Sequence, residues 1–149
     1  MENPTINSTE NQTIEFSIPS HPQFLQLVRG MVTKVSAIME LAPDLTGNLT
    51  LAVDEACSNI IKHSYLNDPK GKIDLCIQFG DKQFEIIITD YGKQCDISQL
   101  KPRDVKDIRP GGLGLYIMNK VMDSVTYSCG IDGKNRVIMV KTLEGNQEG

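Results

Sequence analysis

The sequence has little of what several large protein classes need. Basic residues are not in excess: 15 Lys and Arg stand against 19 Asp and Glu, a net charge of −4. Non-specific nucleic-acid binding needs a basic footprint, so that class is excluded. No apolar run approaches membrane-span length, and no basic-then-apolar leader opens the chain. A soluble, cytoplasmic protein without a membrane partner is therefore expected. Cys57, Cys76, Cys95 and Cys129 contain no C-x-x-C pair. That argues against a thiolate metal cluster, and free thiols in a reducing compartment are expected. Tryptophan, internal repeats and low-complexity segments are also absent.

What is present is 149 residues with 40% hydrophobic content, enough for one domain with a real core. Residues 1–12 are polar and unpatterned and are expected to form a disordered tail; 144–149 should be a loose C-terminal one. Between them, 13–143 carry alternating patterns. Ile14, Phe16 and Ile18 mark a half-buried strand. Ser20 is placed to cap a following helix, with Pro22 in its first turn and Gln23 at the capping-box position. Phe24, Leu27, Val28, Met31, Val35 and Ile38 predict an amphipathic helix, and Asp44 can cap a second one. Ile73, Leu75, Ile77 and Phe79, then Phe84, Ile86 and Ile88, alternate around a turn at 80–82 and predict a hairpin. Residues 93–112 are polar, broken by Pro102 and Pro110, with one short turn near 97–100 at most; a segment of this kind is usually a functional lid. A third helix opens after Gly111 and Gly112, with Leu115, Met118, Val121 and Met122 inward. Two last strands, 125–128 and 136–142, flank a turn at 131–134. The expected fold is an α+β two-layer sandwich, with helices on one face of a mixed, mostly antiparallel sheet.

Three stretches carry chemistry. On a helix wheel of about 100° per residue, Leu45, Leu49, Ala52, Val53, Ala56 and Ile60 form one apolar face. Glu55 and Asn59, four apart, stack at its edge, while Asp54 and Ser58 point towards water. A carboxylate beside a carboxamide suits an oxygen-ligand cation and an activated hydroxyl; the plainer use is a helix-flank hydrogen-bonding pair. Asp90-Tyr91-Gly92 follows a buried strand. Its aspartate can accept from an exocyclic amine such as that of adenine, and its glycine allows close backbone approach, although strand-ending turns use the same pattern. Gly112-Leu113-Gly114 at a helix start can present N–H groups to phosphate, or can serve only as a hinge. No Gly-Lys-Ser/Thr closes it, and Ile117 occupies the third glycine place of a dinucleotide fingerprint.

Taken in order, these boxes resemble the GHKL ATPase superfamily, and within it the anti-sigma factor serine kinases of bacteria. The stretch from Ala52 through Glu55, Asn59 and His63 to Tyr65 is similar to that family's first box. Gly111 to Met118, followed by Met122-Asp123-Ser124-Val125, is similar to its last. The resemblance spans about 13–142 and implies the Bergerat ATP-binding fold, the histidine-kinase-like ATPase fold, with Mg-ATP under a lid. On this resemblance Glu55 is the catalytic carboxylate, Asn59 the Mg2+ ligand, Asp90 the adenine-binding residue and Gly92 its neighbour. Gly112, Leu113, Gly114 and Leu115 approach the phosphates. Arg103, Lys106 and Arg109 are candidates for a γ-phosphate contact, or equally solvated lid charges. Gln94 departs from the fuller superfamily pattern, which often has a second glycine there; a changed lid entry is expected. The implied partners are a STAS-type antagonist carrying the substrate serine, a sigma factor or equivalent target, and a second copy in a homodimer. His21 and His63 lack the dimerising hairpin that a phosphohistidine route would need. The alternative function is a non-catalytic, nucleotide-gated binding protein. A mechanical ATPase is disfavoured because no transducer domain accompanies the boxes.

Overall fold

The computed structural model describes residues 11–96 and 113–143. Five strands, β1 (Gln12–Pro19), β2 (Lys72–Phe79), β3 (Gln83–Asp90), β4 (Ser124–Ile131) and β5 (Lys134–Thr142), form one sheet in the order β1-β2-β3-β5-β4. Every pairing in it is antiparallel. The expected sheet is therefore present, and among the described strands it has no parallel pair. Helices α1 (Leu25–Ile38), α2 (Pro43–Asn59) and α3 (Leu113–Val121) complete the second layer.

Strand alternation decides which face the helices cover. Ile73, Leu75, Ile77, Phe79, Phe84, Ile86, Ile88, Val137 and Met139 are buried, while their neighbours Asp74, Cys76, Glu85, Ile87 and Thr89 lie on the half-open side. From the helices, Val28, Val32, Val35, Leu49, Ala52, Val53, Ala56 and Met118 meet that inner face. Each fully buried large aliphatic side chain contributes roughly 1.5–3 kcal/mol. The face expected on α2 is the one buried, but α1 is rotated from its predicted phase. Leu25 and Val32 are inside, whereas Leu27 and Ile38 are 58% and 54% exposed. The spacing of α1 fits either set, and packing on α2 selects the one centred on Val28 and Val35.

The helix ends also differ from expectation. Ser20 caps nothing: its buried hydroxyl donates to the Asp68 carbonyl (2.6 Å) and accepts the Gly71 N–H (2.8 Å), tying the turn before β2 to the end of β1. His21 Nδ1 takes the cap role instead, accepting from Gln23 N–H over the short 3-10 turn Pro22–Phe24. Helix α2 starts at Pro43 itself, with Ala42 at the cap and Asp44 inside the first turn, where an acid suits the helix dipole. Asp54, partly exposed as expected, is in addition paired with Arg29 of α1 at 2.6 Å. The thiol expectation is corrected too. Cys95 and Cys129 are joined in a disulfide across 34 residues, and only Cys57 and Cys76 are free. Spacing along a chain does not reveal that a strand and a loop 34 residues apart meet with their Cα atoms 5.2 Å apart. The expected turn at 97–100, together with Arg103, Lys106, Arg109 and Gly112, lies outside the described residues.

Candidate nucleotide site

Glu55 and Asn59 sit on the last two turns of α2, both half-buried, beside the fully buried Ala52, Val53 and Ala56. They occupy the edge predicted for them. Directly after Asn59 the helix widens into a π turn, Ile60–Ser64, closed by Tyr65 N–H donating to the Ile60 carbonyl at 3.1 Å. Single π turns inside helices gather at functional sites. This one delivers Ser64 and Tyr65 to the end of β3.

Asp90, the last residue of β3, is almost fully buried. Its Oδ1 accepts from the Asn135 side-chain amide (2.9 Å) and from Gly92 N–H (3.0 Å). Among the described residues its Oδ2 accepts only from the Ser64 hydroxyl, at a long 3.3 Å. One carboxylate oxygen is thus saturated while the other keeps acceptor capacity, which suits the N–H of an exocyclic amine. Burial pushes the Asp90 carboxyl above the ordinary aspartate range, and the Asn135, Gly92 and Ser64 donors oppose that shift without cancelling it.

Gly92 is a glycine for a reason internal to the fold. A Cβ there would run into the Ser64 carbonyl, which also accepts Lys93 N–H at 2.8 Å. Tyr65 makes a second tie between the same two segments: its hydroxyl donates to the Lys72 carbonyl and accepts Tyr91 N–H at 2.8 Å. The helix carrying Glu55 and Asn59 is therefore fastened directly to Asp90-Tyr91-Gly92. At about 1.5 Å per residue, Asn59 lies roughly 7 Å and Glu55 roughly 13 Å along the axis from Ser64.

Asn135, on β5 directly opposite Asp90, uses its whole hydrogen-bonding capacity here. Its amide also donates to the Lys93 carbonyl (2.9 Å), and its oxygen accepts Cys95 N–H (3.0 Å) and Gly130 N–H (3.2 Å). Sequence reasoning missed Asn135, Ser64 and Tyr65 as site residues. Ser64 and Tyr65 stand within the first box, but only the β3–β5 register reveals Asn135. The third stretch is described in part: Leu113, Gly114 and Leu115 belong to the first turn of α3, which packs on α2.

Among the described residues no group of three His, Cys, Asp or Glu side chains is gathered to hold a metal. Magnesium is commonly held by one or two protein oxygens plus phosphate oxygens, so the pair Glu55 and Asn59 fits that ion arriving with a nucleotide.

Comparison with known proteins gives the same picture. A family model described as "Histidine kinase-like ATPase domain" matches residues 18–141. The serine-protein kinase RsbW of Bacillus velezensis is 32% identical over 148 residues, covering 94% of this chain and 91% of its own. Its namesake in Halalkalibacterium halodurans is 33% identical, covering 76% and 74%. Among solved structures, the RsbU and RsbW domains of Rv1364c from Mycobacterium tuberculosis superpose with a TM-score of 0.64 at 14% identity, covering 87% of this chain and 32% of that one. The SiaB–SiaC complex from Pseudomonas aeruginosa gives 0.61 at 12%, covering 87% and 89%. A buried aspartate fastened to a helix that bears Glu-x-x-x-Asn, in this sheet and with these relatives, leaves one assignment: the chain belongs to the histidine kinase-like ATPase family, alongside the RsbW serine-protein kinases.

Proposed function

We propose that residues 13–143 form one ATP-dependent protein-serine kinase domain that also acts as an anti-sigma regulatory factor. The observation that carries this is the fastening of Asp90 to the end of the helix bearing Glu55 and Asn59, through Ser64, Gly92 and Tyr65. It sets a base-recognising carboxylate and a pair of polar side chains on one rigid frame. Asp90 accepts from the adenine amine. Asn59 offers its carboxamide oxygen to Mg2+, which supplies charge neutralisation on the phosphates when bound. Glu55 takes the proton from the attacking serine hydroxyl as the γ-phosphoryl group passes to that oxygen and ADP leaves. Leu113, Gly114 and Leu115, with Gly112 before them, turn backbone N–H groups towards phosphate at the start of α3. Arg109 is the proposed γ-phosphate cation.

The relatives named serine-protein kinases support phosphorylation of a serine on a STAS-type antagonist, with a sigma factor or equivalent target as the second partner. The kinase works in the cytoplasm as a homodimer, and partner exchange is its output. The test is a pull-down from native lysate with Mg-ATP, using wild type and Glu55→Ala as bait. A small bound protein with a new phosphoserine, present with wild type and absent with Glu55→Ala, is the expected result. ATP-dependent capture with no phosphate on any partner would replace the kinase by a nucleotide-gated binding protein.

A further inference from the structure

The disulfide between Cys95 and Cys129 joins the chain just beyond Asp90 to the edge strand β4. Cys129 lies where the β4–β5 register slips: Ser128 pairs with Arg136 and Ile131 with Lys134, so Cys129 and Gly130 together face the single residue Asn135. Such bulges take residues out of the ladder and gather beside active sites. Gly130 has a φ of +77°, and a Cβ on it would meet the Gln94 side chain. Both bridged cysteines are partly exposed. The two free thiols differ: Cys57 is sealed in the core, and Cys76 is on the half-open side of the sheet.

The covalent bond joins two of the three pieces that the Asn135 hydrogen bonds hold. Asn135 accepts from Cys95 N–H and Gly130 N–H, the neighbours of the bond on either side, and donates to Asp90 and to the Lys93 carbonyl. Opening the disulfide would remove the covalent part of the attachment of segment 92–95 to β4 and leave it to those hydrogen bonds among the described contacts. That segment follows Asp90 directly, with Gly92 N–H on its carboxylate, and forms the rim beside it.

We propose that Cys95 and Cys129 form a reversible thiol–disulfide site, exchanging with a low-molecular-weight disulfide of the glutathione type, whose oxidised state holds the 92–95 rim in place for nucleotide binding. The effect on nucleotide rests on the ATP-site reading above. In the oxidising direction one cysteine thiolate attacks glutathione disulfide, forming a mixed disulfide and releasing one glutathione thiolate. The second cysteine thiolate then attacks the mixed disulfide, forming the Cys95–Cys129 bond and releasing the other. Two protein thiols are oxidised, one glutathione disulfide is reduced, and the two released thiolates take up the two protons.

The test equilibrates the full chain at graded ratios of reduced to oxidised glutathione. Alkylation with mass spectrometry reads the thiols, and a ribose-labelled fluorescent ATP analogue reads affinity. The expected result is one two-electron transition at Cys95 and Cys129, across which nucleotide affinity falls at least threefold on reduction. A Cys95→Ser, Cys129→Ser variant should bind at the reduced value at every ratio. A bond that glutathione does not open, or equal affinity in both states, overturns the proposal. Amide hydrogen exchange at Cys95 and Gly130 separates the two readings. If no nucleotide binds in either state yet this exchange quickens on reduction, the thiol site stands and the ATP site falls; if exchange is unchanged as well, both fall.

Discussion

Asn135 carries more of the site than any residue the boxes name, because all four of its hydrogen-bonding positions are spent on the ends of other segments. Removing it takes these partners from a carbonyl and two N–H groups and leaves Asp90 Oδ1 with the Gly92 N–H, and each unsatisfied buried group costs about 1–3 kcal/mol where water does not replace the partner. Asn135→Ala should therefore lower stability by about 2–3 kcal/mol in denaturant titration and weaken ATP binding through Asp90. On the proposed adenine contact, Asp90 also gives binding a pH dependence. Its carboxyl is raised by burial, so protonation as pH falls removes the acceptor sooner than for an ordinary aspartate. Affinity for ATP should decline in weakly acidic buffer, with its midpoint above the usual aspartate range, by calorimetric titration across pH. For folding the sign is the opposite. The native state holds the Asp90 proton more tightly than the unfolded chain, so this group favours folding most at low pH and loses that contribution as pH rises through the raised value. At Ser36, fully buried in α1, the hydroxyl has no hydrogen-bond partner among the described residues. Ser36→Ala should raise stability by up to about 1 kcal/mol, read as a higher melting temperature, since it removes an unpaired polar atom and improves helix propensity.

Among the elements, the end of α1 shows how local rules and the native chain can disagree. Leu41 N–H donates to the Ser36 carbonyl and Glu40 N–H to that of Ala37, the paired bonds of a Schellman ending. That motif needs a left-handed residue at its turn, and Glu40 occupies it with φ 58° instead of a glycine. Glu40→Gly should stabilise the fold by about 0.5–1 kcal/mol once the greater freedom of glycine in the unfolded chain is counted, checked by thermal melting. The strands were legible because alternation along Ile73 to Phe79 and Phe84 to Ile88 has one solution when a single face is buried. Helix ends were less so: Ser20 and Asp44 fit cap rules, but a distant turn claimed the first, and Pro43 moved the helix start one residue ahead of the second. Glu55, Asn59, Asp90 and Gly92 stood out as candidates because their residue types suit the proposed chemistry and their order along the chain matches the boxes of the family it resembles. Asn135 and the Cys95–Cys129 bond could not, because both depend on β5 lying between β3 and β4, an order the chain does not spell out locally.

For the whole molecule, the disulfide is the one covalent tie between the segment after β3 and the last hairpin among the described residues. Closing a loop of 34 residues restricts the unfolded chain by an amount on the order of 4 kcal/mol. Reduction, or the Cys95→Ser, Cys129→Ser pair, should lower unfolding stability by up to about that much, read in urea with and without reductant. Strand register gives the molecule a polarity as well. Gln12 is opposite Phe79, and Thr142 is opposite Gln83, whereas Asp90 and Asn135 close the other end of the sheet. The two ends of the described fold thus emerge together, about 23 Å from Asp90 and about 14 Å apart across three strand spacings. A purification tag, a surface tether or a fused domain at either end would leave Asp90 unobstructed. A linker of about five extended residues is long enough to join those ends, so the domain should tolerate being circularly permuted.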